Sequence, residues 1–137
     1  MRFMIIVKAT ADTEAAERPS PELQASMASY QEDLVKAGVL LDGSGLQPSS
    51  KGWRIRHANG ERTVIEGPFQ DARGMIAGYT LIQVRSREEA MEWTRRFPSP
   101  AEAGAEAEIE VRQLFELEDF APGEAVERFR DLGAGGA

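Results

Sequence analysis

The chain has 137 residues, no cysteine, a single histidine and a formal net charge of −7. That length builds one domain with a real core and is too short for two. The missing cysteines exclude disulfides, thiolate nucleophiles and thiolate metal sites, and the acidic balance opposes non-specific binding to nucleic-acid phosphates.

At the N-terminus, Phe3, Ile5 and Val7 alternate with Met4, Ile6 and Lys8, so apolar residues fall on both faces of a first strand. A strand of that kind is covered on two sides. The same stretch has the look of a leader, but its apolar core is too short and Lys8 follows at once, so a cytoplasmic protein is expected. No apolar run approaches the roughly 20 residues of a membrane span.

Residues 9–20 are polar and read as a loop. Ser20-Pro21-Glu22 then opens a helix, with Ser20 as N-cap, Pro21 in the first helical position and Glu22 at the positive end of the dipole. Leu23, Met27, Tyr30 and Leu34 form its apolar stripe, and Gly38 ends it in the left-handed conformation. A second strand, Val39-Leu40-Leu41, runs into the glycine-rich Asp42-Gly43-Ser44-Gly45.

The clearest local signal is Asn59-Gly60 between Trp53–Ala58 and Glu61–Glu66. It specifies a two-residue type I′ hairpin in which Ala58 faces Glu61, His57 faces Arg62, Ile55 faces Val64 and Trp53 faces Glu66. After a connection from Gln70 to Ala77, the next strand spans Gly78–Arg85. Ser86 and Glu89 make the capping box of a second helix with Ala90, Trp93 and Phe97 on one side. Ile109, Val111, Gln113, Phe115 and Leu117 give a last strand. A short amphipathic stretch with Val126, Phe129 and Leu132 precedes a flexible Gly133–Ala137 end.

Strand–helix–strand, hairpin, strand–helix–strand predicts an α+β fold: a ferredoxin-like βαββαβ sheet with an inserted hairpin and both helices on one face. The domain is expected over residues 1–119, with 120–137 as a C-terminal extension. Met4 and Ile6 leave the second sheet face apolar. A second copy laid sheet against sheet covers it and makes a dimeric α/β barrel; the alternative is that the hairpin and C-terminal stretch fold back over it.

Gly38-Val39-Leu40, Gly45-Leu46-Gln47-Pro48, Glu66-Gly67-Pro68-Phe69, Gly78-Tyr79 and Ile109-Glu110-Val111-Arg112 resemble the YCII-related family, in its DGPF-domain branch. The likeness runs to about Leu117. It implies the same dimeric α/β barrel with a cleft in each protomer, and it implies no established reaction. Two departures bear on chemistry. Glu66 stands where the branch carries an aspartate, and the first helix lacks the histidine that some relatives are proposed to use, leaving Tyr30 as the cleft-facing candidate.

Glu66 is the leading candidate for proton transfer, because a carboxylate on an apolar hairpin face is raised in pKa by desolvation. Its structural alternative is to hold the Gly-Pro turn. Asp42 precedes glycines that let a ligand approach the backbone and is the candidate second acid, or else a turn aspartate. Ser44, Trp53, Pro68, Phe69, Tyr30 and Tyr79 are the candidate cleft lining; the tyrosines and aromatics are equally suited to packing. His57, at the hairpin tip opposite Arg62, is assigned no role. One histidine and no cysteine argue against a transition-metal site, which leaves only a hard cation held by carboxylates, for which no ligand loop is visible, and no phosphate loop or dinucleotide fingerprint implies a cofactor. Two functions follow. One is a homodimer that binds a small ligand near Glu66. The other is a cofactor-independent isomerase, lyase or hydrolase with Glu66 as general acid/base.

Overall fold

A computed structural model of the chain describes residues 1–71 and 74–133. Residues 72 and 73 of the expected Gln70–Ala77 connection, and 134–137 of the expected flexible end, lie outside the described residues. The elements are β1 (Arg2–Lys8), α1 (Ala11–Glu14), α2 (Pro21–Lys36), β2 (Leu40–Gly45), β3 (Trp53–Ala58), β4 (Glu61–Glu66), β5 (Ile76–Gln83), α3 (Arg87–Arg95), β6 (Ile109–Gln113) and α4 (Glu124–Asp131). Four strands form one antiparallel sheet in the order β2-β5-β1-β6, and β3 and β4 form a separate two-stranded sheet.

Local chemistry accounts for the helix ends. The Ser20 hydroxyl accepts from the Leu23 N–H, Pro21 takes the first helical position, and Gly38 turns the chain out with φ +72°. Ser86 caps α3 through the Glu89 N–H, and the Glu89 carboxylate accepts from the Arg85 N–H rather than from Ser86 itself. The hairpin pairs in the register that Asn59-Gly60 specifies, with both turn residues at positive φ (52° and 75°).

One face of the main sheet carries the core. Phe3 and Ile5 of β1 and Ile82 of β5 pack with Val84, Val39, Tyr30 and Leu34 of α2, and Ala90 and Trp93 of α3. Ile5, Leu34 and Ile82 are fully buried, each worth about 1.5–3 kcal/mol relative to exposure. The opposite face presents the cross-strand pairs Met4–Leu81 and Ile6–Tyr79, all only partly buried. One chain therefore covers one side of its sheet. The hairpin does not fold back over the other side: both strands are exposed throughout, with Trp53, Ile55 and Val64 at 65, 52 and 63% exposure.

Four elements differ from the sequence expectation. Residues 11–14 form a one-turn helix, because Thr10 and Thr13 cap each other reciprocally inside what reads as a polar loop. The second strand runs on through Asp42-Gly43-Ser44-Gly45, because a glycine on the facing strand lets the two backbones pair closely: Gly45 lies opposite Gly78, and a Cβ on Gly78 would stand 3.0 Å from the Ser44 carbonyl oxygen. The third strand of the main sheet starts at Ile76, two residues before the expected Gly78. The last strand ends at Gln113 instead of running on through Phe115 and Leu117, because the Glu116 N–H donates to Asp119 and the chain turns into a short 3-10 helix at Leu117–Asp119. No helix among the described residues is long and apolar enough to cross a membrane.

Candidate functional site

The principal cavity follows from a mismatch between helix and sheet. The stripe of α2 is continuous, but what lies beneath it is not. Tyr30 and Leu34 sit on side chains of β1 and β5, whereas Leu23 and Met27 stand over Gly43, Gly45 and Gly78. Alternation along β2 puts Gly43 and Gly45 on the helix side: a Cβ on Gly43 would lie 3.7 Å from Gln31 Oε1 and 3.6 Å from Thr80 Oγ1. The floor thus lacks the side chains that would meet the helix, and a cavity of about 720 Å³ opens. That is within the ~300–1,000 Å³ of small-molecule sites.

The walls are mostly apolar, with Val7, Leu23, Met27, Ala77 and Phe97 among them. The polar floor is the Gln31 amide, which donates to the Thr80 hydroxyl at 3.1 Å. Thr80 is 4% exposed, the one buried polar residue of the core among the described residues. Solvent-exposed Asp12, Glu17, Arg18 and Glu102 line the outer part. Glu102 accepts from the Ser20 N–H at 2.8 Å, and that bond holds its carboxyl below the usual range.

The structure brings together three of the sequence candidates. On the sheet face away from α2, the Tyr79 hydroxyl donates to Asp42 Oδ2 at 2.9 Å, and Ser44 lies opposite Tyr79 in register. The Asp42 bond and its charge push the Tyr79 phenol up, because both favour the protonated form. Tyr79 and Ser44 also border the cavity from the neighbouring strands.

The remaining candidates stand elsewhere. Glu66 is exposed at the end of β4; it is not among the residues lining the cavity and accepts no hydrogen bond among the described residues. Trp53 and Pro68 are exposed, and Phe69 is partly buried beneath the Arg54 guanidinium at 3.9 Å. None of these lines the cavity, because the hairpin forms its own sheet instead of joining the main one. Tyr30 faces the core rather than the cavity. Its hydroxyl donates to the Trp93 carbonyl at 2.8 Å, its ring meets Trp93 and Phe97 edge-on, and burial pushes its pKa up to about 12.

Two residues that the sequence did not single out hold the Glu66–Phe69 turn. The Ser49 hydroxyl accepts from the Phe69 N–H at 3.0 Å and donates to Glu14, whose carboxylate also accepts from the Ser49 N–H at 3.0 Å. Gly67 packs so closely that a Cβ there would stand 1.8 Å from the Ser49 carbonyl oxygen. Glu14 belongs to α1, and Asp12 and Thr13 of that helix wall the cavity together with the flanking Thr10 and Glu17. The turn therefore supports the cavity through α1.

An antiparallel sheet, a detached hairpin and a cavity between a helix and a glycine floor define an α+β protein. The chain belongs to the YCII-related domain family, which it matches over residues 1–116. It is 32% identical over 69 residues to an uncharacterized protein of Rhizobium meliloti (strain 1021), a match covering 50% of this chain and 56% of that relative. The matched part is thus little more than half the relative's length. Among solved structures it is similar to 5-chloro-2-hydroxyhydroquinone dehydrochlorinase (TftG) from Burkholderia phenoliruptrix AC1100, in complex with 2,5-dihydroxybenzoquinone. That match has 15% identity, a TM-score of 0.43, and coverage of 85% of this chain and 95% of that one.

Proposed function

We propose that the protein is a small-molecule-binding homodimer of ferredoxin-like subunits, joined through their open sheet faces as a dimeric α/β barrel, with the ligand held between α2 and the β2–β5 glycines. The observation that carries this reading is the glycine floor. Three positions that a packed sheet would fill with side chains, Gly43, Gly45 and Gly78, leave room for a molecule beneath Leu23 and Met27. A cavity with apolar walls and a small polar floor gains affinity from area and orientation from the Gln31–Thr80 pair. The net charge of −7 favours no nucleic-acid partner.

The binding reading is preferred to the enzymatic one because Glu66, the leading proton-transfer candidate, lies outside the cavity lining. The test is a metabolite screen by thermal shift with wild-type protein and Gly45→Leu. A Cβ on Gly45 meets nothing within 4 Å, so the backbone accepts a side chain there, and a leucine is expected to fill part of the cavity that Gly45 lines. It also replaces a strand glycine, which does not weaken the fold. Ligands that raise the melting temperature of wild type and leave Gly45→Leu unmoved support the reading. Equal shifts in both proteins refute it.

A further inference from the structure

We infer that the cavity selects an amphipathic cation: a ring-sized apolar body that lies on Leu23 and Met27, with an amine or other positive group held at the outer end by Asp12, Glu17 and Glu102. This rests on the binding reading above and adds the chemical class to it. The apolar part of the requirement comes from the walls. The charge part comes from the outer lining, where three carboxylates and one guanidinium, Arg18, meet the solvent.

The imbalance persists after local pairing is counted. Arg18 forms no ion pair with another described residue, and neither Asp12 nor Glu17 has a cationic partner among them. Glu102 is anchored by a neutral N–H donor, which fixes its position and leaves its charge uncompensated. An anionic ligand would approach these carboxylates and, beyond them, a protein of net charge −7. At the inner end, Gln31 Nε2 donates to Thr80, and the three atoms nearest the Gly43 gap are the uncharged oxygens Tyr79 O, Thr80 Oγ1 and Gln31 Oε1 at 3.4, 3.6 and 3.7 Å, so the floor offers neutral polar atoms rather than a charge. The only formal charges in the lining are therefore at the outer end. A cationic group placed there stays partly hydrated and avoids the desolvation cost that burial at the floor would impose.

Three matched probes test the class: 4-phenylbutylamine, 4-phenylbutanol and 4-phenylbutyrate, titrated by calorimetry at low ionic strength. The expected order is amine, then alcohol, then carboxylate, with the amine about ten-fold tighter than the carboxylate, a gap that shrinks in high salt because these charges are exposed. The double variant Asp12→Asn/Glu17→Gln brings amine and carboxylate toward parity, and Arg18→Gln widens their separation. Gly45→Leu abolishes binding of all three. A carboxylate that binds as well as the amine, in a Gly45-dependent manner, overturns the charge inference while leaving the binding reading intact. Failure of all three probes to bind folded wild-type protein also overturns the inference. Amine binding that survives Gly45→Leu instead overturns the location of the site.

Discussion

The Glu14 carboxylate accepts from both the N–H and the hydroxyl of Ser49, and through that hydroxyl it reaches the Phe69 N–H. Two loops distant in sequence are tied to one short helix that walls the cavity. Replacing Ser49 with alanine removes the acceptor for Phe69 and one of the two donors to Glu14. A loss of about 1–2 kcal/mol in unfolding free energy is expected, from one orphaned N–H and one lost charge-assisted bond in a partly buried site. Urea denaturation gives the loss, and faster hydrogen exchange at the Phe69 amide locates it. An unchanged Phe69 exchange rate would show that the turn holds without this support.

Gly67→Ala is expected to be worse than Ser49→Ala. The added methyl would stand 1.8 Å from the Ser49 carbonyl oxygen and 2.7 Å from its carbon, so backbone has to move. The penalty belongs with overpacking, about 1–3 kcal/mol or more. Because α1 is tethered to the same turn, small-molecule binding should weaken with stability. A fully stable Gly67→Ala protein, measured by thermal melting, would contradict this close packing of Gly67 on Ser49.

Sequence and structure agree where local chemistry decides and part where long-range pairing does. Asn59-Gly60 sets a register that needs nothing else in the molecule, and Ser20-Pro21 and Gly38 mark both ends of α2 on their own. Gly43 and Gly45 are legible as places where something approaches the backbone. That they face α2, Gly43 opposite Thr80 and Gly45 opposite Gly78, depends on strand pairing across more than 30 intervening residues. Tyr30 belongs to the right stripe, but only the floor beneath distinguishes its half of α2, over side chains, from the half over glycines. Glu66 looks placed because hairpin register puts it beside Trp53. Register says nothing about where the hairpin stands relative to the main sheet, and it stands apart. The Thr10-x-x-Thr13 pair was the available clue to α1, and with it to the cavity wall.

Tyr30 and Tyr79 are the two tyrosines of the chain, and they titrate for different reasons. Burial raises Tyr30 to about 12, while hydrogen bonding and charge from Asp42 raise Tyr79. In a Tyr30→Phe background the remaining phenol is Tyr79, and Asp42→Asn should move its ultraviolet ionisation to lower pH by removing the charge that opposes phenolate. No movement would mean that the 2.9 Å bond is absent in solution.

Tyr30 also makes stability depend on pH at the alkaline end. Its folded pKa lies above the unfolded value of about 10, so the folded state retains a proton that the unfolded chain releases. The contribution is complete below pH 10 and is lost as pH rises through about 12. Wild-type stability should therefore fall over that window, and Tyr30→Phe should fall less steeply. The same variant should lose about 1 kcal/mol at neutral pH, because the Trp93 carbonyl loses its buried partner. Parallel alkaline profiles for the two proteins would show that Tyr30 ionises without hindrance.

The open sheet face makes the last prediction. Met4, Ile6 and Leu81 occupy its centre, with the Lys8–Glu110 and Arg112–Glu110 pairs to one side. Apolar residues at the centre with charges at the margin suit burial against a second copy of the same surface, since a two-fold interface must be self-complementary. Light scattering of dilute wild-type protein should give twice the 15.1 kDa chain mass. Leu81→Glu puts carboxylates from both copies at the centre of that interface, and it should yield a monomer whose melting temperature no longer varies with concentration. The core is on the other side of the sheet, so the monomer should keep its secondary structure and its Gly45-dependent cavity. A wild-type monomer at the same dilution would leave Met4, Ile6 and Leu81 partly in water, and the proposed barrel would fail with it.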